Sequence, residues 1–528
     1  MKITPYIENT PIFHGASGIQ SKKMKSLIKS SSRRASCLGS GSAGLMRCSS
    51  FGIPLKIHSE RVRNFHSMNG VVMGNVGQDF IADLKKRGVY NDATSSFEQL
   101  VQEMTNGSSK PIGIYAGFDP TALGLHVGNL LVLQTLRRFQ QAFPSENVHI
   151  YCLVGGATGR IGDPSGRKTE RPLLSEETIN GNINGLKKEM NEFFSMEDKK
   201  NVTVVNNADW LGEMKMIDLL RNVGKYFQIV NMLRLESVKS RLENADADTG
   251  GMTFTEFSYS LFQSYDFYHL YSSNNVRLQL GGSDQWGNIT SGLEFIKKKQ
   301  SMNPDATHLS CSGMTVPLLT TADGVKFGKS MGNAIWLNPD MTSPFDFYQF
   351  FLRSQDADVE KLLKVLTFVP VEEIEKIMIE HQKQPEKRVA QQILAEQLTE
   401  QIHGKKQLET VQKCSELLFG SKSEEEALNI LKSLSKKDIT ALMKDSPSAQ
   451  ISREELLSKP IVDIAISLKL GTSKSELGKL IKSGGFYINY ARQTDPKYVL
   501  TENNLVAGNG TIVVLRLGKK NFQLIEAI

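Results

Sequence analysis

The sequence of 528 residues predicts an α/β protein built on a doubly wound parallel sheet, followed by a helical region and a small α+β domain. Two apolar runs of strand length, Ile112–Phe118 and Val148–Val154, each lead into a loop that contains glycine. Between them, the leucines from Leu130 to Leu136 give a helix one apolar face. Strands that alternate with helices form parallel sheets. Residues 75–344 are therefore expected to form a Rossmann-like domain.

Two helical blocks are predicted around and after this sheet. Residues 176–275 have mostly helical patterns, which predict a helical insertion between two halves of the sheet. Further on, a helix is predicted from Pro385, with one apolar face, to Gly404, where glycine ends it. Residues 345–445 are therefore expected to be all-helical.

The last part of the chain has a composition of its own. Residues 446–456 are polar and are expected to be a linker, and 457–528 combine two helical patterns with three alternating strands. Within 451–528, eleven basic and seven acidic residues give a net charge of +4. A basic α+β module suggests nucleic acid as a partner, although a charged solvent-exposed surface fits the same count.

The net charge of the whole chain, +7, comes from its first 70 residues. Residues 1–70 carry a net charge of +9, whereas 71–528, with 52 basic and 54 acidic side chains, carry −2. The stretch at 30–36 is rich in serine and arginine and lacks acids, which is typical of a mitochondrial or chloroplast transit peptide. A disordered cytosolic tail is the alternative.

Composition argues against several classes of protein. Hydrophobic residues at 40% and charged residues at 23% are ordinary for a globular protein. No apolar run approaches about 18 residues, so no membrane span is expected. Five scattered cysteines match neither a disulfide framework nor a metal-ligand spacing, and they indicate a reducing compartment.

The junction between the first strand and its helix carries the first candidate ligand-binding residues. Tyr115 to Thr121 lead into His126, Gly128 and Asn129. A helix N-terminus offers free N–H groups and a positive dipole end, which suit phosphates. His126 can donate to a phosphoryl oxygen, Gly128 lets a flat base approach, and Asn129 can hydrogen-bond without adding charge. By itself the motif is weak, and a capping or core histidine is then the favoured interpretation.

A loop about 200 residues later carries two lysines beside a glycine, in the stretch from Lys326 to Ser330. Lys326 and Lys329 can contact a triphosphate together and neutralise charge that grows during displacement at phosphorus. A solvated surface loop would look the same. Because the His126 motif and this lysine loop occur in this order on an α/β chain, a nucleotide site is the stronger interpretation.

Two further patterns indicate a ligand pocket. The stretch 281–288 packs three glycines, a carboxylate and two side-chain amides between a strand and a helix, where backbone can approach a ligand closely. A tight turn with incidental polar residues is the alternative. Upstream, Tyr259, Gln263 and Asp266 share one helical face at i, i+4 and i+7. An amphipathic helix with outward polar residues would show the same spacing.

These motifs resemble the two signature sequences of class I aminoacyl-tRNA synthetases, and residues 75–528 are similar to bacterial-type and organellar tyrosyl-tRNA synthetases. The tail resembles the S4-like RNA-binding domain of that family. The resemblance implies a class I catalytic domain that attaches tyrosine to tRNA(Tyr) in two ATP-dependent steps. Besides the two signatures, the stretches that carry it are 117–121, 155–166, 207–210, 255–266 and 281–288.

The resemblance also implies which residues bind the amino acid. Tyr115 and Asp266 correspond to residues that hydrogen-bond the substrate phenol. Acceptor groups around the α-ammonium group suit its three N–H donors. The other residues implied for this side of the pocket are Asp163, Tyr259, Gln263, Gln285 and Asn207.

The nucleotide side and the RNA side follow in the same way. The residues implied to contact ATP or the adenylate are Gly117, Asp119, Gly128, Gly282, Asp284 and Lys329. Those implied to stabilise the pyrophosphate leaving group and the reaction are His126, Asn129, Thr121, Lys326, Lys329 and Ser330. The candidates for RNA phosphate contacts, on charge alone, are Lys474, Lys479, Lys482, Arg492 and Lys519. Magnesium is expected to arrive with ATP, without a dedicated protein metal site.

The resemblance implies a homodimer and an organellar enzyme, and two alternatives stay open. Asn129, Phe327-Gly328 and Ala116 depart from the spelling that many tyrosyl-tRNA synthetases share. Tryptophanyl-tRNA synthetases commonly have asparagine at the position of Asn129, so tryptophan is the nearest rival substrate. The other alternative is a non-catalytic RNA-binding relative that keeps the fold.

Overall fold

The core of the computed structural model is a six-stranded sheet. Its strands are β1 (Asp92–Ala93), β2 (Ile112–Phe118), β3 (Val148–Val154), β4 (Val202–Asn206), β5 (Val276–Gly282) and β6 (Ser312–Val316). They lie in the order β1-β6-β5-β2-β3-β4, and all neighbouring pairs are parallel except β1 with β6. The doubly wound parallel sheet predicted from the sequence is therefore confirmed, with one short antiparallel strand at its edge.

The structure describes most of the chain after residue 75. The described residues are 76–167, 169–172, 174–195, 201–243, 251–302, 308–324, 327, 329–330, 333–419, 424–433, 439, 448–471, 473–506, 510–518 and 521–528. The leader predicted at 1–70 lies outside them. Among the described helices, none combines the length and the apolar character that crossing a membrane requires.

Helices cover the sheet and position its loops. Before β5 they are α1 (Val76–Arg87), α2 (Phe97–Asn106), α3 (Val127–Ala142), α4 (Glu176–Ser195), α5 (Ala208–Leu211), α6 (Met216–Asn222), α7 (Ile229–Met232), α8 (Glu236–Glu243) and α9 (Phe254–Asn274); α10 (Trp286–Ser301) follows β5. The apolar face predicted for α3 is buried from Leu130 to Leu136.

The block 176–275, predicted as a helical insertion, also contains a strand of the main sheet. β4 pairs in parallel with β3 over its whole length. It lies at the edge of the sheet and is only half-buried, so it lacks the continuous apolar run that revealed β2 and β3. Because β4 ends at Asn206, the next residue, Asn207, lies at the same sheet edge as the ends of the other parallel strands.

Helix α9 is fixed at its start by a buried ion pair. Thr253 caps it, and Glu256 returns a carboxylate to the Thr253 backbone N–H. Two nitrogens of Arg241 donate to the Glu256 carboxylate at 2.7 and 2.9 Å, and both side chains are buried. A bidentate pair is geometrically restrictive. It therefore holds the helix that carries Tyr259, Gln263 and Asp266 in one position.

A group of helices follows the sheet, as predicted. They are α11 (Pro344–Leu352), α12 (Asp356–Leu366), α13 (Val371–Lys383), α14 (Val389–His403), α15 (Lys405–Phe419) and α16 (Glu424–Ser433). The helix predicted from Pro385 begins at Val389, because Pro385–Lys387 form a separate 3₁₀ turn and Arg388 adopts φ 53°. Gly404, at φ 84°, ends α14 as predicted.

Two buried arginines join these helices to the sheet domain. Arg87 on α1 and Arg138 on α3 both donate to the backbone carbonyls of Lys364 and Thr367 at the end of α12. These carbonyls have no partner inside their own helix and carry its negative dipole end. Burial and the neighbouring Arg87 lower the pKa of Arg138 to about 9. The contact fixes the end of α3 opposite to His126.

The last domain is a five-stranded sheet with three helices. Its elements are β9 (Ser448–Ile451), α17 (Arg453–Ser458), α18 (Ile461–Ser467), α19 (Lys474–Lys482), β10 (Phe486–Ile488), β11 (Ala491–Gln493), β12 (Ile512–Leu517) and β13 (Asn521–Ala527), after β7 (Lys329–Ser330) and β8 (Asn333–Ala334) of the catalytic region. The strand order is β11-β10-β12-β13-β9. The two predicted helices and three predicted strands are present.

The segment predicted as a linker, 446–456, contributes structure to this domain. β9 pairs in parallel with β13, and α17 begins at Arg453. Ser448, Ala449 and Gln450 carry no apolar pattern, so the pairing depends on the backbone edge that β13 offers. Val513 and Leu515 face the domain's own helices, whereas Val514 and Leu524 belong to the hydrophobic cluster that includes the preceding helical region.

Candidate active site

The floor of the pocket is a buried tyrosine with an unused hydroxyl. Tyr115 lies on the central strand β2 and is 1% exposed. Its hydroxyl has no hydrogen-bond partner among the described residues. Burial, and then the negative charge of Asp266, hold the pKa of Tyr115 well above its usual value. A buried hydroxyl without a partner is costly, so this atom is a candidate contact for a polar ligand group.

Asp266 stands beside Tyr115 and is held by two donors. Asn207 Nδ2 donates to Oδ2 at 2.9 Å, and Trp210 Nε1 donates to Oδ1 at 2.7 Å. Asn207 is itself fully buried and also accepts the backbone N–H of Ala157. Burial raises the pKa of Asp266 to about 7, although both hydrogen bonds oppose the rise.

A second carboxylate, Asp119, lies just after β2. Tyr259 donates its hydroxyl to Asp119 Oδ2 at 3.3 Å, and Thr158 donates to Oδ1 at 3.2 Å. Burial and the charge of Asp163 raise the pKa of Asp119 to about 6, while Arg171 opposes the rise. The resemblance placed Asp119 with the nucleotide; in the structure it contacts a residue expected on the amino-acid side.

Asp163 anchors a network of amides. Its Oδ2 accepts Gln285 Nε2 at 2.8 Å, and its Oδ1 accepts the Ser165 backbone N–H at 2.9 Å. Gln285 Oε1 in turn accepts Gln263 Nε2 at 3.3 Å and Asn288 Nδ2 at 3.2 Å. The structure therefore brings together Asp163, Gln263 and Gln285, three of the residues that the resemblance implied for the amino-acid side.

The stretch 281–288 is the strand-to-helix crossover expected from its glycines. β5 ends at Gly282, a 3₁₀ turn covers Ser283–Gln285, and α10 begins at Trp286. A Cβ on Gly282 would lie 2.7 Å from Asp284 Oδ1, and one on Gly281 would lie 2.9 Å from the Gln285 Cβ. Both glycines are required by the folding of the turn on itself, which brings Asp284 and Gln285 to the pocket.

The first signature begins helix α3. His126 is the N-cap residue, and its backbone N–H donates to Asn129 Oδ1 at 3.1 Å. A Cβ on Gly128 would lie 2.7 Å from the imidazole Cε1 of His126. Gly128 thus makes room for the imidazole, not only for a base as the sequence suggested. Thr121 and Gly117 are both exposed.

The second signature is described only in part. Lys326 and Gly328 lie outside the described residues, and so do the side chains of Lys329 and Ser330. The backbone of Lys329–Ser330 forms β7, which pairs with β8 at Asn333–Ala334. The roles of Lys326, Lys329 and Ser330 therefore stay predictions.

Several pocket residues were missing from the sequence-based assignment. Trp210 donates to Asp266 and Thr158 donates to Asp119, the two carboxylates whose pKa is raised. Asn288 donates to Ser165 Oγ, Gln263 and Gln285. Arg171 Nε donates to the Asp163 carbonyl at 3.2 Å. Trp210 and Asn288 lie inside stretches that carried the resemblance, so that signal could have found them. Thr158 also lies in such a stretch, 155–166, whereas Arg171 lies in none of them, and its contact depends on how its loop folds.

Metal ligands were also sought among the described residues. In that part of the chain, no three His, Cys, Asp or Glu side chains are grouped so that they could hold a metal ion.

Comparison with known proteins gives two matching families. Residues 107–420 match "tRNA synthetases class I (W and Y)", a family that includes both tryptophan and tyrosine enzymes. Residues 438–525 match "Tyrosine--tRNA ligase SYY-like C-terminal domain". The second match distinguishes between the two amino acids, which the first does not.

Curated relatives and solved structures agree with these families. Tyrosine–tRNA ligase 1 of Bacillus subtilis is 43% identical over 438 residues, which is 81% of this chain and 97% of the relative. The Lactobacillus johnsonii tyrosine–tRNA ligase is 41% identical over 85% of this chain and 99% of its own. A C-terminally truncated mitochondrial tyrosyl-tRNA synthetase of Aspergillus nidulans matches with a TM-score of 0.55 and 35% identity, over 64% of this chain and 94% of that structure.

The raised pKa of Asp266 predicts a pH-dependent stability. Its folded-state value of about 7 exceeds the unfolded value of about 4, so the folded protein retains a proton that the unfolded chain releases. The resulting stabilisation is complete below about pH 4 and is lost as the pH rises to about 7. Between about pH 5 and 7, the free energy of unfolding should fall by about 2 kcal/mol more in the wild type than in Asp266→Asn.

Urea unfolding measures this difference, because all three tryptophans, Trp210, Trp286 and Trp336, lie in the catalytic region and report its unfolding by fluorescence. Parallel pH curves for the two proteins would contradict the raised pKa. Only the difference in slope matters, so a uniformly less stable variant does not affect the result.

Proposed function

The chain belongs to the tyrosine–tRNA ligase family of class I aminoacyl-tRNA synthetases, and we propose that it attaches tyrosine to tRNA(Tyr) through an enzyme-bound tyrosyl-adenylate. One observation supports the choice of amino acid: among the described residues, the buried Tyr115 hydroxyl has no hydrogen-bond partner, and it stands beside the Asp266 carboxylate. A substrate phenol supplies an acceptor to Tyr115 and a donor to Asp266. Tyrosine therefore completes the hydrogen bonds of the pocket floor.

Asp266 accepts a hydrogen bond from the phenol hydroxyl and stays ionised. Its oxygens already accept from Asn207 and Trp210, so a third donor favours the charged carboxylate. Phenylalanine would leave Tyr115 and Asp266 without that bond, and unpaired buried groups are costly. Discrimination of this kind, about 10⁵-fold without editing, is already known for tyrosyl-tRNA synthetases. We therefore infer that no editing activity is needed.

The acidic cluster suits the α-ammonium group. Burial, and then the charge of the neighbouring Asp163, raise the pKa of Asp119 to about 6, so two carboxylates lie close together here. A bound ammonium ion neutralises their negative charge, and the Tyr259 hydroxyl and Gln263 amide add acceptors. Gln285, hydrogen-bonded to Asp163, lies next to where the carboxylate of tyrosine would face ATP.

The chemistry needs positioning more than a covalent intermediate. The tyrosine carboxylate attacks the α-phosphorus of ATP, pyrophosphate leaves, and the adenylate then transfers tyrosine to the terminal adenosine of the tRNA. His126 at the N-terminus of α3, with the lysines of the second signature, stabilises the charge that develops on pyrophosphate. Gly282 and Asp284 contact the ribose, and Asn129 fixes the backbone of His126.

Magnesium is proposed as part of the ATP substrate. Class I synthetases use ATP with Mg²⁺, and this ion keeps several waters while it binds phosphate oxygens. The described residues offer oxygen ligands singly, not as a metal cluster. Magnesium would screen phosphate charge, while the residues above orient tyrosine and ATP.

The final domain is proposed to contact tRNA through one face of its sheet. Tyr487 pairs across the strands with Arg492 and Arg516, so the three form a row. The Arg516 guanidinium lies 4.4 Å from the Tyr487 ring and 5.3 Å from the Tyr490 ring, and its Nε has no hydrogen-bond partner among the described residues. Arginine held over an aromatic ring suits phosphates and unstacked bases.

The lysines proposed earlier for RNA differ in their surroundings. Lys474 forms an ion pair with Asp463 at 2.7 Å, which competes with a phosphate. Lys479 and Lys482 lie in the last turn of α19, and Lys519 lies outside the described residues. Arg492 is therefore the best supported of the five.

A homodimer is proposed through an apolar surface on helices α6 and α7 and the start of α9. Its exposed fractions are high: 76% for Met216, 71% for Ile217, 65% for Ile229 and 77% for Phe254. Exposed apolar patches of this kind mark protein interfaces. A second copy of the chain would bury them in a two-fold arrangement, in which each partner uses the same surface.

Residues 1–70 are proposed to direct the protein to mitochondria or plastids. Their net charge of +9 and their acid-poor, serine-rich composition support this. The similar fungal synthetases of known structure are mitochondrial.

Exchange of pyrophosphate into ATP tests the activity and its specificity. The wild type should respond to tyrosine and not to tryptophan or phenylalanine. Tyr115→Phe removes one neutral hydrogen bond and should lower kcat/KM for tyrosine about threefold to tenfold while the value for phenylalanine changes little. Asp266→Ala should be more damaging. Normal exchange with Asp266→Ala would refute the assignment of Asp266 to the tyrosine pocket. Exchange that depends on tryptophan would favour the tryptophanyl-tRNA synthetase alternative. If the wild type showed no exchange but still bound RNA, a non-catalytic protein would be favoured.

Filter binding tests the RNA surface. Arg516→Gln and Arg492→Gln should each weaken tRNA(Tyr) binding several-fold and reduce its salt dependence, because each removes a phosphate contact. Tyrosine-dependent exchange should be unchanged. Lys459→Gln, an exposed lysine paired with Glu455 in the same domain, is the matched control. Equal effects of all three substitutions would contradict a specific surface.

Sedimentation tests the dimer. Phe254→Asp and Ile217→Asp should shift the protein towards monomer, because a charge in an apolar interface is costly. Ile379→Asp replaces a 58%-exposed isoleucine on α13, outside the surface, and should leave the mass unchanged. A monomeric wild type would refute the proposal.

A fluorescent reporter fused to residues 1–70 tests the destination. Signal in mitochondria or plastids is the expected result, and the organelle labelled identifies which. A diffuse cytosolic signal would exclude a transit function. The matched control exchanges Arg33 and Arg34 for glutamate, which should abolish import because transit peptides exclude acids.

A further inference from the structure

A buried carboxylate on α4 contacts two segments: the one that leads into the first signature and the one that follows the second signature. Glu189 is 9% exposed. Its Oε2 accepts the backbone N–H of Leu125 at 2.7 Å, and its Oε1 accepts Asn338 Nδ2 at 3.0 Å. Leu125 immediately precedes His126, whereas Asn338 lies eight residues after Ser330. One side chain therefore bridges two parts of the chain more than 200 residues apart.

The two segments also pair directly with each other. Val127 N–H donates to the Ile335 carbonyl at 2.9 Å, and Leu337 N–H donates to the Leu125 carbonyl at 2.8 Å. His126 and Trp336 form the bridge between these bonds, with ring centroids 5.9 Å apart. This short antiparallel pairing fixes the exit of the second signature loop beside the start of α3.

The face of α4 that carries Glu189 also holds the loop before His126. Asn182, seven residues earlier on the helix, donates to the Pro120 carbonyl at 2.9 Å. Between them, a Cβ on Gly185 would collide with the Leu123 carbonyl, and a Cβ on Gly124 would lie 2.5 Å from Glu189 Oε1. The spacing of Asn182, Gly185 and Glu189 puts them on one helical face. This face of α4 therefore contacts the loop at residues 120, 123, 124 and 125.

A carboxylate is suited to this position because both of its oxygens accept hydrogen bonds. Burial raises the pKa of Glu189, while the donors Leu125 and Asn338 oppose the rise. The remaining charged groups that act on it are Glu192 and Lys188, on its own helix. A glutamine would offer one acceptor and turn its NH₂ group towards the other donor.

We propose that Glu189 is a positioning residue that locks the His126 segment to the segment leaving the second signature loop, and thereby sets the ATP-dependent step without affecting tyrosine binding. The inference rests on the proposed function. None of the hydrogen bonds of Glu189 reaches Tyr115, Asp266 or their partners. Small displacements of groups that contact a transition state reduce the rate strongly.

Four variants of the full-length protein test this. Glu189→Ala should lower kcat/KM for ATP in pyrophosphate exchange about tenfold to hundredfold, with tyrosine affinity in equilibrium dialysis within about twofold of wild type. Glu189→Gln, which keeps one acceptor, should recover part of the loss, and Asn338→Ala should reproduce part of it. Glu192→Ala is the control, since Glu192 lies three residues away on α4, is 62% exposed and carries the same charge; it should behave as wild type.

A double variant, Glu189→Ala with Asn338→Ala, distinguishes coupling from two separate effects. It should be no worse than Glu189→Ala alone, because the bridge is already broken. The proposal is overturned if Glu189→Ala retains the wild-type kcat/KM for ATP, if it loses tyrosine affinity in proportion, or if the double variant shows additive losses. Should Glu189→Ala fail to fold, the comparison of Glu189→Gln with Glu192→Ala decides in the same way. Wild-type exchange with tyrosine is measured alongside, so a failure of the proposed function is seen separately.

Discussion

The pocket depends on one constraint: parallel strands of a doubly wound sheet end at the same edge. Asp119 follows β2, Asn207 follows β4, and Asp284 and Gln285 follow β5. These three positions are far apart in the chain, yet the sheet brings the ends of their strands to one edge. Helix α9, fixed by Arg241 and Glu256, closes the remaining side.

Burying several carboxylates in one pocket has an electrostatic cost, which appears as raised pKa values and is reduced by hydrogen bonds to the carboxylates. Burial raises the pKa of Asp266 to about 7 and that of Asp119 to about 6, and hydrogen bonds from Asn207, Trp210 and Thr158 limit both shifts. Under the proposed function, the ligand offsets this cost, because it brings a cation near Asp163 and a hydrogen-bond donor near Asp266. Tyrosine carries both, at opposite ends.

The segment around His126, which is proposed to face ATP, is held by contacts from outside the sheet. Side chains of helix α4 hydrogen-bond to the loop at residues 120 and 125. The segment from Ile335 to Asn338 pairs through its backbone with the residues on either side of His126. At the far end of α3, Arg138 is anchored on the carbonyl end of α12. The helix that begins at His126 is thus fixed at both ends, one by the catalytic region and one by the helical region that follows it.

The sequence by itself determined the doubly wound sheet and the order of most of its elements, because apolar periodicity and glycine-containing crossovers are local patterns. It determined Tyr115, Asp163, Gln263, Asp266 and Gln285 as neighbours only through resemblance to a family. Tertiary structure alone decided that β4 joins the sheet, that β9 pairs with β13 inside a segment predicted as a linker, and that Glu189 and Arg171 hold segments beside the site. These depend on backbone edges and hydrogen bonds between distant segments, whose geometry no local pattern encodes.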